Sequence, residues 1–520
     1  MEKNVLQWLE MTAGRLPEKI AYSEASASLS FGQVLIRSKR VGSAILSLTL
    51  SEGPLAVMMG RDISTITADL GVVYSGRAYA PIDATLPDDR IKKILDRLQP
   101  AGIISDKEHL ERVNSLRGLY CSAVDGKEEA CPILCLEDLL LKETDEEALL
   151  SVRKSMLETD PLYIIFTSGS SGNPKGVATS HHSLMCYISA YRDVMGIAEE
   201  DRLGCQAPLD YIAAVRDIYL PLLTGAQTYL IPKEFFMQPT ELFQCMREEG
   251  ITAVGWSASA LSVLSALGCW KDDNTGLPGL RKICFSGSVL PGKVLSEWQR
   301  NLPEAKFVNQ YGPTEATASC TYYILDHVVR EDEVIPIGIP YDNYRILLLG
   351  EDGKEAPAGE EGEICVSGPI LALGYWNDPE RTQEVFIQNP LKGPYGERIY
   401  RTGDIGRLRE DGLLEFHGRR DRQIKYMGHR VELDEIETAS YEMDGVDSCA
   451  ALFQEDKEVL WLFFAGNGET KDVILYLRKK LPGFMVPRKV KKLEELPKLP
   501  NGKTDMTRLK EEMGRSRRSK

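Results

Sequence analysis

The stretch from Phe166 to Gly176 reads FTSGSSGNPKG, with three glycines, four hydroxyl side chains and one lysine in eleven residues. Glycines let a backbone curl and present its N–H groups, hydroxyls add donors, and a lysine adds a point charge. Together these make a cradle for a polyphosphate. It is not a Walker A loop, because Lys175 follows Pro174 and precedes Gly176. Taken alone, a Gly/Ser run is ordinarily a flexible surface loop, so the rest of the chain has to decide. Four later stretches also concentrate chemical groups: NQYGPTEAT, YRTGDIGRL, GRRDRQIKYMGHRVELDEIE and LPNGKTD.

These residues need elements to hold them. The apolar run Leu162 to Ile165, closed by the Gly/Ser cluster, reads as a buried strand entering a tight loop. From Asn4 to about Leu140, helical periodicity alternates with short β-rich runs (GPLAVMM, AGIISD), the pattern of βαβ units on a parallel sheet. After the cradle, LGCQAP, AQTYLIP, ITAVGWS and KICFSG are strand-like and separated by helical stretches. From about Val334 to Phe416, short alternating strands with Gly and Pro turns suggest a small antiparallel barrel. A compact α/β segment after GRRDRQIKYMG closes the chain as a second, smaller domain.

The bulk properties bound the function. A chain of 520 residues exceeds one core. With 43% hydrophobic and 27% charged residues it has the composition of a globular enzyme. A net charge of −15 argues against nucleic acid or an anionic membrane as the main partner, and any nucleotide site must carry its own local donors. The closest cysteines, Cys131 and Cys135, have no second pair or suitably spaced histidines after them, so zinc is not expected. The other cysteines sit in apolar stretches as small hydrophobes, which fits a reducing compartment. The N-terminal pattern is an amphipathic helix with acids and not a signal peptide, no apolar run is long enough for a membrane span, and the final Arg-Ser-Lys is not a peroxisomal address. A cytoplasmic protein is expected.

The five motifs, in this order, resemble the core motifs of the adenylate-forming superfamily: acyl-CoA synthetases, luciferases, amino-acid adenylation domains of non-ribosomal peptide synthetases and D-alanine–carrier protein ligases. The similarity runs from GRAYAPIDATLPDDRI to the final lysine motif. It implies an α/β fold with a large N-terminal domain, made of two parallel-sheet α/β subdomains plus a small β-barrel. A small mobile α+β C-terminal domain follows. The division is 1–420 for the adenylation core and 421–520 for the small domain, with Asp421 as hinge. It also implies ATP and Mg²⁺. Thr167, Ser168, Gly169, Ser170, Ser171, Gly172 and Lys175 would hold the departing phosphates. Tyr311 would pack on adenine, Thr314 would bond the α-phosphate and Glu315 would hold Mg²⁺. Asp404 would accept the ribose hydroxyls, with Arg419 and Lys425 nearby, and Gly287, Asn309, Gln310, Gly312 and Phe416 would complete the nucleotide site. Lys503 would bridge the substrate carboxylate and the α-phosphate, neutralising charge that builds in the transition state. Read without the other motifs, NGK is a turn and Thr-Gly-Asp another.

QYGPTEAT, an aspartate at the hinge and RQIKYMGHRVELDEIE look more like amino-acid adenylating enzymes than acyl-CoA synthetases. SGSVLPGKVLSEWQRNLPEAKFVNQYGPTEAT is particularly similar to D-alanine–carrier protein ligases. Such enzymes pass the acyl group to a phosphopantetheine thiol, here expected on a separate carrier in trans, since no condensation segment or carrier motif flanks the unit. The pocket departs from the pattern. The aspartate that binds a substrate ammonium in such enzymes would fall at Ile212, and Asp210 stands two residues early. Either an insertion keeps Asp210 in that role, or the amine is held elsewhere. Arg216 aligns with a pocket-lining position: it either meets an acidic or polar substrate side chain or pairs with Asp210 or Asp217. Gly255, Cys284, Ser286, Gln310, Ala318 and Ser319 would line the rest of a pocket more polar than a fatty-acyl tunnel. The leading expectation is ATP-dependent activation of an amino acid and its transfer to a carrier. The rivals are an acid–CoA ligase and an inactive nucleotide-binding relative.

Overall fold

The computed structural model describes residues 2–116, 121–124, 127–169, 173–271, 276–391, 396–498 and 504–515. The chain divides into two compact units. One comprises Met1–Ala84, Leu98–Phe166 and Gly176–Arg420; the other comprises Thr85–Arg97, Thr167–Lys175 and Asp421–Lys520.

Among the described residues, the first unit holds three large sheets and a two-stranded hairpin, Cys121–Val124 with Lys127–Ala130. In a nine-stranded sheet, Lys306–Tyr311, Lys282–Ser286, Ala253–Ser257, Arg202–Cys205, Gln227–Leu230 and Ile20–Glu24 run parallel, and antiparallel strands close both edges. A seven-stranded sheet has a parallel centre of Ile133–Cys135, Gly102–Ser105, Leu55–Val57, Tyr79–Pro81 and Pro161–Thr167. These strands are short β-branched or apolar runs buried on both faces, as helices over a parallel sheet require. The third sheet is antiparallel: Arg345–Leu349, Glu361–Ser367, Arg398–Leu408, Phe386–Gln388 and Leu414–Arg419. This is the α/β architecture expected from the motifs.

In the second unit a hairpin, Gln423–Tyr426 and His429–Glu432, turns through Met427 and Gly428, both at positive φ. Helix Leu433–Tyr441 follows, then a sheet of Ser448–Gln454, Val459–Ala465 and Lys489–Lys492. That sheet is buried on both faces by strict alternation: Leu460, Leu462 and Phe464 enter one apolar cluster, Trp461 and Phe463 another. Among the described residues, no helix is long and apolar enough to cross a membrane.

Candidate active site

Strand Lys306–Tyr311 ends at Tyr311, and the chain crosses back over itself through Gly312, the short turn Thr314–Ala316 and strand Thr321–Leu325. Gly312 is where the two passes touch. A Cβ there would lie 2.5 Å from Ser319 Cα and 2.8 Å from both Ala318 O and Cys320 N. Cys320 N–H donates to Tyr311 O across the same point at 2.8 Å. Thr317 and Ala318 take left-handed backbone angles to complete the crossing. The result is a tight turn carrying Thr314 and a fully buried Glu315, whose Oε1 accepts from the Tyr375 hydroxyl at 2.7 Å.

Asp404 lies on strand Arg398–Leu408 opposite Arg419 on strand Leu414–Arg419. Its buried carboxylate accepts from both the Tyr311 hydroxyl and the Arg419 guanidinium. Burial and this carboxylate raise the Tyr311 phenol far above its ordinary range, so it stays protonated and donates. Phe416 stands beside Tyr311, ring centroids 6.2 Å apart. Tyr311, Thr314, Glu315, Asp404, Phe416 and Arg419 thus form one group in the first unit. Asn309 donates to Pro336 O, and Gly287, at φ 97°, ends strand Lys282–Ser286 with open space at its Cβ position.

In the second unit, the described part of the glycine-rich segment meets the hairpin. Ser168 Oγ donates to Arg430 O at 2.6 Å, and Lys175 Nζ lies 3.7 Å from Glu432 Oε1. Thr167 Oγ1 is buried without a partner. A Cβ on Gly169 would lie 2.2 Å from Asn173 O, so only glycine allows that turn. Lys425 pairs in register with Arg430 on the same hairpin. Asp421 is the first residue of the long C-terminal segment of this unit. Ser170, Ser171, Gly172 and Lys503 lie outside the described residues.

The pocket candidates divide. Arg216, on helix Ala214–Thr224, meets Gly255 and Cys284: Nη2 donates to Gly255 O at 2.8 Å, and Nη1 lies 3.7 Å from Cys284 Sγ. Ser319 Oγ donates to Gln310 Oε1 at 3.3 Å. Of the expected partners Asp210 and Asp217, Asp217 attracts Arg216 through space, but among the described residues neither carboxylate lies within ion-pair distance of it. Asp210 keeps different company. Burial and the Asp83 carboxylate push it up to about 6, partly opposed by Lys233. The residues missed from the sequence are Tyr187 and Tyr191, one helical turn apart on His181–Met195, and Tyr341. Two tyrosines at i and i+4, on the helix face that also carries Leu184 and Ile188, were the available signal.

Residues 9–376 match the family model for AMP-binding enzymes, and residues 435–503 match that for the AMP-binding enzyme C-terminal domain. The chain is 30% identical over 515 residues to tyrocidine synthase 1 of Brevibacillus parabrevis, covering 98% of this chain and 45% of that protein. It is 30% identical over 512 residues to delta-poly-L-ornithine synthetase of Acinetobacter baumannii (strain AB307-0294), covering 96% and 36%. The chain therefore spans less than half the length of these relatives. Among solved structures, it superposes on the Vibrio cholerae adenylation domain AlmE in complex with glycyl-adenosine-5'-phosphate with a TM-score of 0.83, at 24% identity, covering 99% and 98%. On holo-PA1221, an NRPS protein containing adenylation and PCP domains, the TM-score is 0.81 at 26% identity, covering 98% and 84%.

Proposed function

Because the chain belongs to the AMP-binding enzyme family, whose adenylate-forming members use ATP, we propose that it activates an amino acid or close analogue and passes it to a carrier thiol. The observation that carries this reading is the buried group Tyr311, Thr314, Glu315, Asp404 and Arg419, ordered around one tight crossing of the chain. In the first step a substrate carboxylate oxygen attacks the α-phosphorus of ATP, the α–β bridging bond breaks, and pyrophosphate leaves with the acyl-adenylate formed. The reaction brings two anions together, so positioning and fixed positive charge dominate the catalysis. Thr314 bonds the α-phosphate, the glycine-rich segment and Lys175 hold the leaving phosphates, and Lys503 bridges the two reacting anions. Asp404 accepts the ribose hydroxyls. Glu315 offers the hard carboxylate oxygen that Mg²⁺ requires, and the metal, when bound with phosphate oxygens, neutralises their charge.

In the second step a phosphopantetheine thiolate attacks the acyl carbon, AMP leaves, and a thioester forms. Resemblance to carrier-linked adenylation domains supports this acceptor over coenzyme A. The proposed division is a nucleotide-binding core of 1–420 and a small domain of 421–520 that brings up Lys503, joined at Asp421.

The test is incubation with MgATP, hydroxylamine and a pool of amino, imino, hydroxy and aryl acids. AMP, pyrophosphate and an acyl hydroxamate should accumulate together. Lys503→Ala should lose roughly 10²–10³-fold in this step, the size seen when one preorganised donor is removed, yet still transfer a supplied acyl-adenylate to the thiol. Release of ADP and phosphate, or a Lys503→Ala protein as fast as wild type, would sink the reading.

A further inference from the structure

Arg216 is 2% exposed, and its surroundings are those of a binding group. The same unit shows what a structural arginine looks like. Arg61 donates from Nε to Ala207 O at 3.0 Å, from Nη1 to Ile231 O at 3.0 Å, and from Nη2 to Cys205 O at 2.9 Å. All three nitrogens are used. Arg216 has one carbonyl, one sulfur at 3.7 Å, and a buried Nε with no partner. The strand beside it is cut back to admit the guanidinium: a Cβ on Gly255 would lie 3.0 Å from Arg216 Cζ. Tyr191 supports the cation from its ring face, 5.5 Å away.

The neighbouring groups are also short of acceptors. Tyr187 Oη, beside Arg216 and Ser319, makes no hydrogen bond of normal geometry. Gln310 Nε2 and Tyr341 Oη are buried and unpartnered as well. Three unfilled buried groups therefore accompany a cation that has no ion-pair partner among the described residues. Asp217, next in sequence, attracts Arg216 through space and also faces Cys205 and Arg61, but it forms no ion pair with Arg216 and keeps an unpartnered oxygen. A buried cation without a carboxylate is costly, and a planar guanidinium matches a carboxylate fork. Chemically, the missing partner is an oxyanion.

The site is not the place where the reacting carboxylate must sit. Gly255 stands opposite Cys284 and Cys284 opposite Val308, three residues before the strand ends at Tyr311. At about 3.3 Å per residue, Arg216 engages the sheet roughly 10 Å below the turn that carries Thr314. One end of a substrate can thus meet the nucleotide while the other reaches the guanidinium.

We propose that Arg216 binds a second carboxylate on the substrate, so that the acid activated is a dicarboxylic acid or an acidic amino acid; this rests on the adenylate-forming reading above. Tyr187 and Gln310 complete the oxyanion's shell, and Gly255 leaves the space that the guanidinium occupies.

The experiment is ATP–pyrophosphate exchange by the whole chain. The panel is aspartate, glutamate, α-aminoadipate, succinate and glutarate against asparagine, glutamine, alanine and phenylalanine, with cysteate and phosphoserine as sulfonate and phosphate arms. Wild type should prefer a dicarboxylate over its amide isostere by about 10- to 150-fold in kcat/KM, the range of one charge-assisted bond. Arg216→Met should abolish that preference through KM for the acid, and Arg216→Lys should restore part of it. Thermal unfolding separates this from a structural role: removing a cation that has no ion-pair partner should leave Tm unchanged or raised, whereas losing a structural arginine would lower it. Equal or better exchange with a neutral acid would overturn the proposal and leave the adenylation reading standing. So would a preference for cysteate or phosphoserine. Exchange with no acid at all would overturn the adenylation reading, and this inference with it.

Discussion

Asp217 is buried beside Arg216, Arg61 and Cys205, and burial pushes its carboxyl from 3.8 up to about 6 despite the two guanidinium groups. A carboxyl whose folded pKa is raised binds more protons in the native than in the unfolded protein between those two values. Stability from this group is therefore full at low pH and lost as pH rises from about 4 through about 6. Asp217→Asn should remove that slope and stabilise the protein at pH 7 by on the order of 3 kcal/mol. His181, pulled down to about 4 by burial, and Asp210 titrate in the same window, so the measurement is the difference between variant and wild-type urea curves from pH 4 to 8. A difference independent of pH would show that Asp217 is ionised at no cost. The candidate residues of the nucleotide motifs were legible in the sequence because they depend on residue type at short spacing. The state of Arg216 was not: whether a buried cation finds a carboxylate is decided by elements far apart in the chain, and the sequence left pairing and substrate contact equally open.

At the scale of elements, the crossing at Gly312 sets the geometry of everything after it. The atoms that a Cβ would strike are backbone atoms of Ser319, Ala318 and Cys320, which cannot swing aside as a side chain can. Gly312→Ala should destabilise by about 2–4 kcal/mol, as overpacking against fixed atoms does, and raise KM for ATP by displacing Thr314 and Glu315. Gly287 is the control: its φ is 97° but its Cβ position is open, so Gly287→Ala should cost only about 1–2 kcal/mol. Urea unfolding of the two variants checks the contrast, and equal effects would remove the crossing from the argument. The strands themselves were readable. GPLAVMM, AGIISD, LGCQAP, AQTYLIP, ITAVGWS and KICFSG all contain strands, because short apolar runs between Gly and Pro punctuation have few other uses. Not readable was the pairing of Ile20–Glu24 with Gln227–Leu230, which puts an N-terminal strand into the distant nine-stranded sheet. Local periodicity shows that a strand exists and is silent about its neighbour.

Over the whole molecule, the apolar clusters decide which parts of the chain can stand alone. The first unit's main core draws on residues from Val5 to Leu414 and cannot be cut without opening it. Both clusters of the C-terminal segment, by contrast, are drawn only from residues 424–513. Excision would break the buried pair of Arg90 with Glu435, the pair of Asp89 with Lys480, and the contact of Lys175 with Glu432. Those losses return charges to water, where ion pairs are worth little, and leave both apolar faces of the central sheet covered. Residues 421–520 expressed alone should therefore fold, with a single cooperative urea transition of a few kcal/mol or more and a near-ultraviolet signal from the buried, stacked Trp461 and Phe463. A broad, non-cooperative transition without that signal would mean that Thr85–Arg97 and Thr167–Lys175 are part of the fold's foundation. The boundary at Asp421 would then mark no separable domain. A cooperative fragment would instead make Asp421 a junction with an independently stable body, as the proposed delivery of Lys503 would require.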